Sequence, residues 1–332
     1  MISRRDFLRG VTGAGAAGAL GLRSGPVSAE APPETRKIRL AEGGSICLAP
    51  QFLAEDFLRG EGFTDVQYVK VDALSLHKVV GAGEVDLSMG MIAPLLVQVD
   101  TGDPVVLLAG IHVGCFEVFV TDQVRTIRDL RGKEVAIPGL GSSPHVFLAS
   151  ILAHVGLDPR KDVNWVTHTR TQAKLLLAAE MIDAYLGFPP DPQELRAKKV
   201  GRVLVNSSVD RPWSQYFCCM LAANREFARR YPIATRRAMR AVLKATNVCA
   251  LEPERAARSF ADRGYATPHD YGLQAMKEIP YNKWREYNPE DTVRFYALRL
   301  HEAGLVKSSP QKILAQGTDW RLFNELKREL KG

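Results

Sequence analysis

Short apolar runs alternate with longer amphipathic stretches from residue 38 to residue 205. Residues 38–41, 66–71, 85–87, 105–109, 116–120, 135–137, 163–166, 184–186 and 200–205 have the length and composition of buried strands. Helical spacing separates them at 49–58, 74–80, 94–101 and 172–179, and from 143 onward. In the first helix Phe52, Leu53 and Phe57 fall on one face and Gly60 marks the stop. The third apolar run is expected to end at Ser88-Met89-Gly90. The fourth is expected to give way to a loop, Gly110-Ile111-His112-Val113-Gly114, and Phe188-Pro189-Pro190-Asp191-Pro192 reads as a turn. Beyond Ala222 the pattern becomes helical. Ala238, Val242, Ala245 and Cys249 share one stripe, and Asn288-Pro289-Glu290-Asp291 opens a helix that Gly304 closes. Alternation of this kind predicts an α/β fold with mainly parallel sheets, whose ligands sit beyond the carboxyl ends of the strands.

One stretch, residues 132–147, concentrates local signals. Val135, Ala136 and Ile137 make a short strand. Gly139 and Gly141 bracket a turn, Ser142 and Ser143 are hydroxyl residues at N-cap position, and Pro144 suits the first helical turn. Val146, Phe147, Ile151 and Val155 then recur at helical spacing. Free amides and the positive end of a helix dipole meet in that loop, which suits an anion. An ordinary helix start in an α/β protein has the same residues, and both readings stand at this point.

The chain has 332 residues, 46% of them hydrophobic, enough for a real core. Its N-terminus departs from the rest. Ser3-Arg4-Arg5-Asp6-Phe7-Leu8-Arg9 is a twin-arginine motif, and a weakly apolar glycine- and alanine-rich run follows, too short to span a bilayer. Val27-Ser28-Ala29 offers small residues for cleavage, so residues 1–29 are expected to be a removable twin-arginine signal peptide directing the chain to the periplasm. That segment carries four arginines and one aspartate, so the formal charge of the mature chain falls from +7 to +4. The basic residues are scattered or lie along helix faces, as Arg236, Arg237 and Arg240 do, and nucleic acid is not an expected partner. Five cysteines, Cys47, Cys115, Cys218, Cys219 and Cys249, form no disulfide framework. Cys218 and Cys219, if in a strand, point to opposite faces and read as small buried residues.

Two segments are alike in kind. Gly83-Glu84-Val85-Asp86-Leu87-Ser88 and Glu180-Met181-Ile182-Asp183-Ala184-Tyr185-Leu186-Gly187 both run from a helix end through an acidic residue into a strand. Asp129-Leu130-Arg131-Gly132-Lys133-Glu134-Val135-Ala136 and Gly141-Ser142-Ser143-Pro144-His145 stand between them. In this order the motifs resemble the nitrate/sulfonate/taurine group of ABC-transporter substrate-binding proteins, which have the type II periplasmic binding protein fold. The resemblance covers about residues 37–250. It implies a two-lobed α/β protein with two mixed, mainly parallel sheets and C-terminal helices. Lobe 1 would take residues 30–119, lobe 2 residues 120–213, and residues 214–332 would return to lobe 1. It also implies a monomer that does no chemistry, uses no cofactor, and hands a small anionic organic solute, a sulfonate, nitrate or related ion, to an ABC permease in the inner membrane. Many relatives carry an aromatic-acid-proline step where this chain has Gly187-Phe188-Pro189-Pro190, so one acidic contact is lost.

Strand-end loops supply the candidate ligand-binding residues: Gly44, Ser45, Ser88, Met89, His112, Cys115, Ser142, Ser143, His145, Asp183, Tyr185 and Phe188. Amides at 142–144 favour a negative group, and Asp183 either accepts from a ligand or caps neighbouring backbone. Arg170 follows a strand end and could clamp a carboxylate or sulfonate, or simply be solvated. Three other readings carry weight. Thiamine-pyrimidine synthases share the fold and carry a run of cysteines that Tyr216-Phe217-Cys218-Cys219-Met220 faintly matches, which leaves open a related enzyme or precursor binder. A sensory ligand-binding subunit would have the same features as a transport protein. Cys47, Met89, Met91, His112 and Cys115 also suggest a copper(I) site, but no Cys-x-x-Cys spacing supports it and no metal is expected.

Overall fold

The computed structural model describes residues 30–72, 75–265 and 269–331; the twin-arginine segment and its cleavage site lie outside the described residues. Strands β1 (Lys37–Glu42), β2 (Asp65–Lys70), β3 (Leu87–Met91), β4 (Val105–Val113) and β10 (Phe217–Asn224) form one sheet, in the order β2-β1-β3-β10-β4. Strands β5 (Glu117–Val120), β6 (Glu134–Ile137), β7 (Asn164–Thr167), β8 (Ala184–Gly187) and β9 (Arg202–Asn206) form the other, in the order β7-β6-β8-β5-β9. Helices α1 (Ala49–Gly60), α2 (Ile92–Thr101), α3 (Ser143–His154), α4 (Arg170–Ala178) and α5 (Asp191–Lys198) connect strands. Helices α6 (Arg225–Arg230), α7 (Pro232–Leu251), α8 (Pro253–Asp262), α9 (His269–Glu278), α10 (Pro289–Glu302), α11 (Pro310–Gly317) and α12 (Arg321–Glu329) follow the last strand. None of the described helices is long and apolar enough to cross a membrane.

The two sheets repeat one plan. β1 pairs in parallel with β2 and β3, as β6 does with β7 and β8. One strand in each sheet runs against the others: β10 between β3 and β4, and β5 between β8 and β9. This is the two-lobed α/β architecture with mixed, mainly parallel sheets. The acidic repeats perform the same task in each lobe. Asp86 accepts from the Arg39 amide at 2.8 Å and from its guanidinium at 2.7 Å, and its own amide donates to the Arg39 carbonyl. Asp183 accepts from the Glu134 amide at 2.9 Å and pairs with Lys133 at 3.2 Å, and its amide donates to the Glu134 carbonyl. Each carboxylate thus fixes the strand it precedes to that strand's parallel neighbour.

Several expected boundaries move. Residues 75–84 make successive turns and no helix, because Gly81 and Gly83 weaken helical continuation. Strand β3 runs through Ser88, Met89 and Gly90, all of them buried. Strand β4 runs through the expected loop to Val113. Gly110 is a packing position inside that strand: a Cβ there would stand 2.2 Å from the Phe217 ring of β10. Helix α5 starts within the proline-rich turn, where Pro192 occupies the first turn that tolerates it. The chain leaves the first sheet after Val113 and enters the second at Glu117, ahead of the expected boundary at 119/120.

Candidate ligand-binding site

A cavity of about 270 Å³ opens between the carboxyl ends of the parallel strands of the two sheets. Gly43, Gly44, Ser45 and Leu48 reach it after β1, and Gly90 and Met91 at the end of β3. From the other sheet come Pro138, Ser142, Ser143 and Pro144 after β6, Arg170 after β7, and Phe188 after β8. Phe116, from the crossing segment, also lines it, 6.0 Å from the Phe188 ring. The walls are mostly apolar, and among the described residues Arg170 is the one charged residue on them.

The loop ahead of α3 is built as a cap with little spare capacity. Ser142 accepts from the His145 amide at 3.4 Å through its hydroxyl, while its own amide donates to the Gly139 carbonyl at 3.2 Å. Gly141 has φ +81°, a conformation that favours glycine, and its amide donates to His145 Nδ1 at 3.1 Å. Pro144 has no amide. The three amides expected at 142–144 therefore reduce to one, the N–H of Ser143, beside its half-buried hydroxyl. His145 is not among the residues lining the cavity; it stands edge-on to Trp165 at 4.8 Å, and burial lowers its imidazole to about 4, so it is a neutral acceptor near pH 7.

Arg170 stacks on Phe188 with 4.1 Å between guanidinium and ring centroid, and donates to Asp191 at 2.8 Å. Asp191 also accepts from Tyr185 Oη at 2.6 Å and Lys174 at 3.1 Å. Burial opposes the Asp191 charge, but Arg170 and Lys174 outweigh it and hold the carboxyl below its ordinary value. The positive charge on the wall is thus largely compensated from behind.

Of the expected residues, Gly44, Ser45, Ser142, Ser143 and Phe188 border the cavity. The others stand elsewhere. Ser88 and Met89 lie inside β3, and the Met89 amide donates to the buried Gln51 side chain at 2.6 Å. Asp183 precedes β8, at the far end of that strand from the cavity, and is engaged by β6. Tyr185 is buried and spent on Asp191. His112 and Cys115 sit beneath the cavity floor, together with Cys47 and Cys219, which do reach the wall. Arg170, read from the sequence as either a clamp or a solvated loop residue, also reaches the wall. Cys47, two residues beyond Ser45 in the same strand-end loop, and Cys219, which tertiary packing brings there, were not among the expected solute-binding residues.

Cys219 pairs in register with Met91 of β3 and with His112 of β4. The β10–β4 register shifts on both sides of Cys219, a bulge that re-aims side chains. Cys218 and Cys219 consequently do not diverge as in a regular strand: Cys218 Sγ is 3.6 Å from Cys115 Sγ, and Cys219 Sγ is within 4.8 Å of it. Cys115 has φ 147°, unusual for a residue with a Cβ, and follows Gly114 at φ +57°. A Cβ on Gly114 would lie 2.3 Å from the Ser208 Cα, so the two crossing segments touch backbone to backbone. Ser207 Oγ accepts from the amides of Cys115 and Phe116 at 3.1 and 2.9 Å and fastens them together.

The NMT1-like family matches residues 31–262, and a twin-arginine translocation signal matches residues 1–21. No curated protein matches the sequence significantly. Among solved structures, the periplasmic nitrate-binding protein NrtA from Synechocystis PCC 6803 superposes with a TM-score of 0.75 at 16% identity, over 91% of this chain and 90% of its own. The alkanesulfonate-binding protein SsuA from Xanthomonas axonopodis pv. citri, bound to MOPS, gives 0.69 at 17% identity, over 86% and 99%. The periplasmic aliphatic sulphonate-binding protein SsuA from Escherichia coli gives 0.67 at 17%, over 86% and 94%. At such identities the likeness is one of fold.

Proposed function

The chain belongs to the NMT1-like family, and on that premise we propose that it is the periplasmic solute-binding component of an ABC importer. The solute is a small organic molecule with an apolar body and one anionic head. The cavity between the carboxyl ends of two sheets carries this reading, because residues from both lobes line it and closure would enclose a ligand. Its size supports a small solute, and its apolar walls support an organic body over a bare inorganic ion. Ser143, with a free amide and hydroxyl at the positive end of α3, supports a negative head beside Arg170. The named solutes of the similar structures, nitrate and alkanesulfonate, agree with an anionic head. The export signal supports a periplasmic role.

Thermal unfolding against a panel of alkyl and aryl sulfonates, the matching carboxylates, their neutral amides and nitrate tests this. A true ligand at a hundred times its dissociation constant should add roughly 2.7 kcal/mol of stability. The same ligand should weaken about tenfold on Ser143→Ala combined with Arg170→Gln, by calorimetry. Undiminished affinity in that variant would place binding outside this cavity, and turnover of the bound compound would refute a pure binder.

A further inference from the structure

We propose that Cys47, His112, Cys115 and Cys219 form a binding site for a single thiophilic closed-shell cation, zinc(II) or copper(I), beneath the floor of the cavity. The inference goes beyond the solute-binding reading and does not depend on it. The three thiol sulfurs and one imidazole nitrogen lie within 4.8 Å of one another, and all four residues are buried. With metal–sulfur bonds of about 2.3 Å, the edge of a tetrahedral site is roughly 3.8 Å. The widest separation in the cluster therefore needs to contract by no more than about 1 Å on loading.

The four ligands come from four places in the chain: the short helix Ile46–Leu48, strand β4, the crossing segment, and strand β10. No local motif unites them. The register of β10 against β4 and the bulge at Cys219 put a thiol beside the imidazole, and the strained backbone at Cys115 brings in another.

His112 gives the independent observation. Its Nδ1 lies 3.0 Å from the Gly114 carbonyl and 3.3 Å from that of Val113, contacts that place the ring proton there. The other nitrogen, Nε2, is completely buried and has no hydrogen-bond partner among the described residues. A carbonyl on one imidazole nitrogen that orients the other toward a metal is the usual arrangement at histidine ligands. A sulfur-rich set with one imidazole and no carboxylate suits zinc or copper(I) and excludes calcium and magnesium, which require oxygen. Binding displaces thiol protons. Cys47 and Cys219 also face the cavity, so the bound cation would lie directly under a solute.

The test uses the mature chain purified under reducing, anaerobic conditions. Zinc(II) is titrated in one arm and copper(I) in another, each against a chromophoric chelator, with elemental analysis of the dialysed product. Cobalt(II) in place of zinc reports thiolate coordination by its charge-transfer and ligand-field bands. One equivalent of zinc or copper(I) is expected, and the tighter arm identifies the metal. Cys219→Ser should weaken binding at least a hundredfold and abolish the cobalt–thiolate band, while Cys249→Ser, outside the cluster, should leave both unchanged. Should Cys219→Ser fail to fold, Cys47→Ser carries the same expectation, because its thiol stands outside both sheets. Stoichiometric metal that survives these substitutions would overturn the assignment. So would a fully reduced wild-type protein that takes up neither metal, including one isolated with a Cys115–Cys218 disulfide that binds nothing once reduced.

Discussion

Asp191→Asn should separate stability from anion affinity. The carboxylate is 3% exposed and holds Arg170 at 2.8 Å, Lys174 at 3.1 Å and Tyr185 Oη at 2.6 Å. The amide keeps the shape and can still accept from Tyr185, but it removes the negative charge behind two cations. Removing one partner of a fully buried pair costs about 3–5 kcal/mol. Here the cations keep some relief. The Arg170 side chain is 29% exposed and stacked on Phe188, and Lys174 still pairs with Glu194. The expected loss is therefore about 2–3 kcal/mol, smaller than in the fully buried case. For a chain of this size that lowers the melting temperature by roughly 3–5 °C. The same change unmasks a positive charge on the cavity wall. An anionic ligand should then bind about tenfold tighter, some 1.4 kcal/mol, whereas its neutral amide analogue should gain nothing. Differential scanning calorimetry and isothermal titration on one protein preparation read both quantities. A variant that melts with the wild type would show that the cluster contributes no net stability. One that loses stability and anion affinity together would show that Asp191 shapes the wall without masking its charge.

Two further predictions concern His145 and Glu278. The His145 imidazole stands near 6.5 when unfolded and about 4 when folded, so the unfolded chain binds the extra proton between those values. Its contribution, at most roughly 3 kcal/mol, is complete above pH 6.5 and lost as the pH falls toward 4. Urea midpoints from pH 7.5 to 4.5 should fall less steeply in His145→Gln than in wild type, and parallel curves would contradict this. Glu278 of α9 accepts from Gln193 at 2.8 Å and Arg196 at 2.7 Å, both on α5 of the second lobe. Glu278→Ala should change stability by only about 1 kcal/mol, because the Glu278 side of the ion pair is open to solvent, yet weaken ligand binding several-fold and enlarge the radius of gyration by favouring an open form. Unaltered scattering and affinity would deny the contact any role in closure.

The alternation of apolar runs sufficed for the α/β class and for most strands, because buried parallel strands must be continuous apolar segments. It failed where glycine has a reason other than turning. Gly110 looks like the end of a strand, but it lies inside β4 because Phe217 fills the space its side chain would need. That misreading turned His112 into a loop residue. The acidic repeats were visible as a pair, but a carboxylate that caps backbone and one that binds ligand look identical in sequence. Only the hydrogen bonds of Asp86 and Asp183 to the neighbouring strands distinguish them. At the helix start the hydroxyls were correctly placed. The supply of amides was overestimated, since each N–H already taken by the cap is unavailable to an anion, and such use depends on geometry.

The two lobes follow one plan, so their differences are informative. In each sheet the antiparallel strand is the first one the chain enters after crossing over, β5 in one direction and β10 in the other. β5 carries only apolar residues and Glu117, which is held by Arg196. β10 carries two adjacent cysteines with a shifted register around the second. Both irregularities, the bulge at Cys219 and the positive φ at Cys115, act on thiols, and both lie beside His112, whose buried Nε2 has no hydrogen-bond partner among the described residues. Backbone strain persists where the surroundings over-determine it. Here they do so around one point, where the first crossing segment, strands β4 and β10, and the loop after β1 converge beneath the cavity.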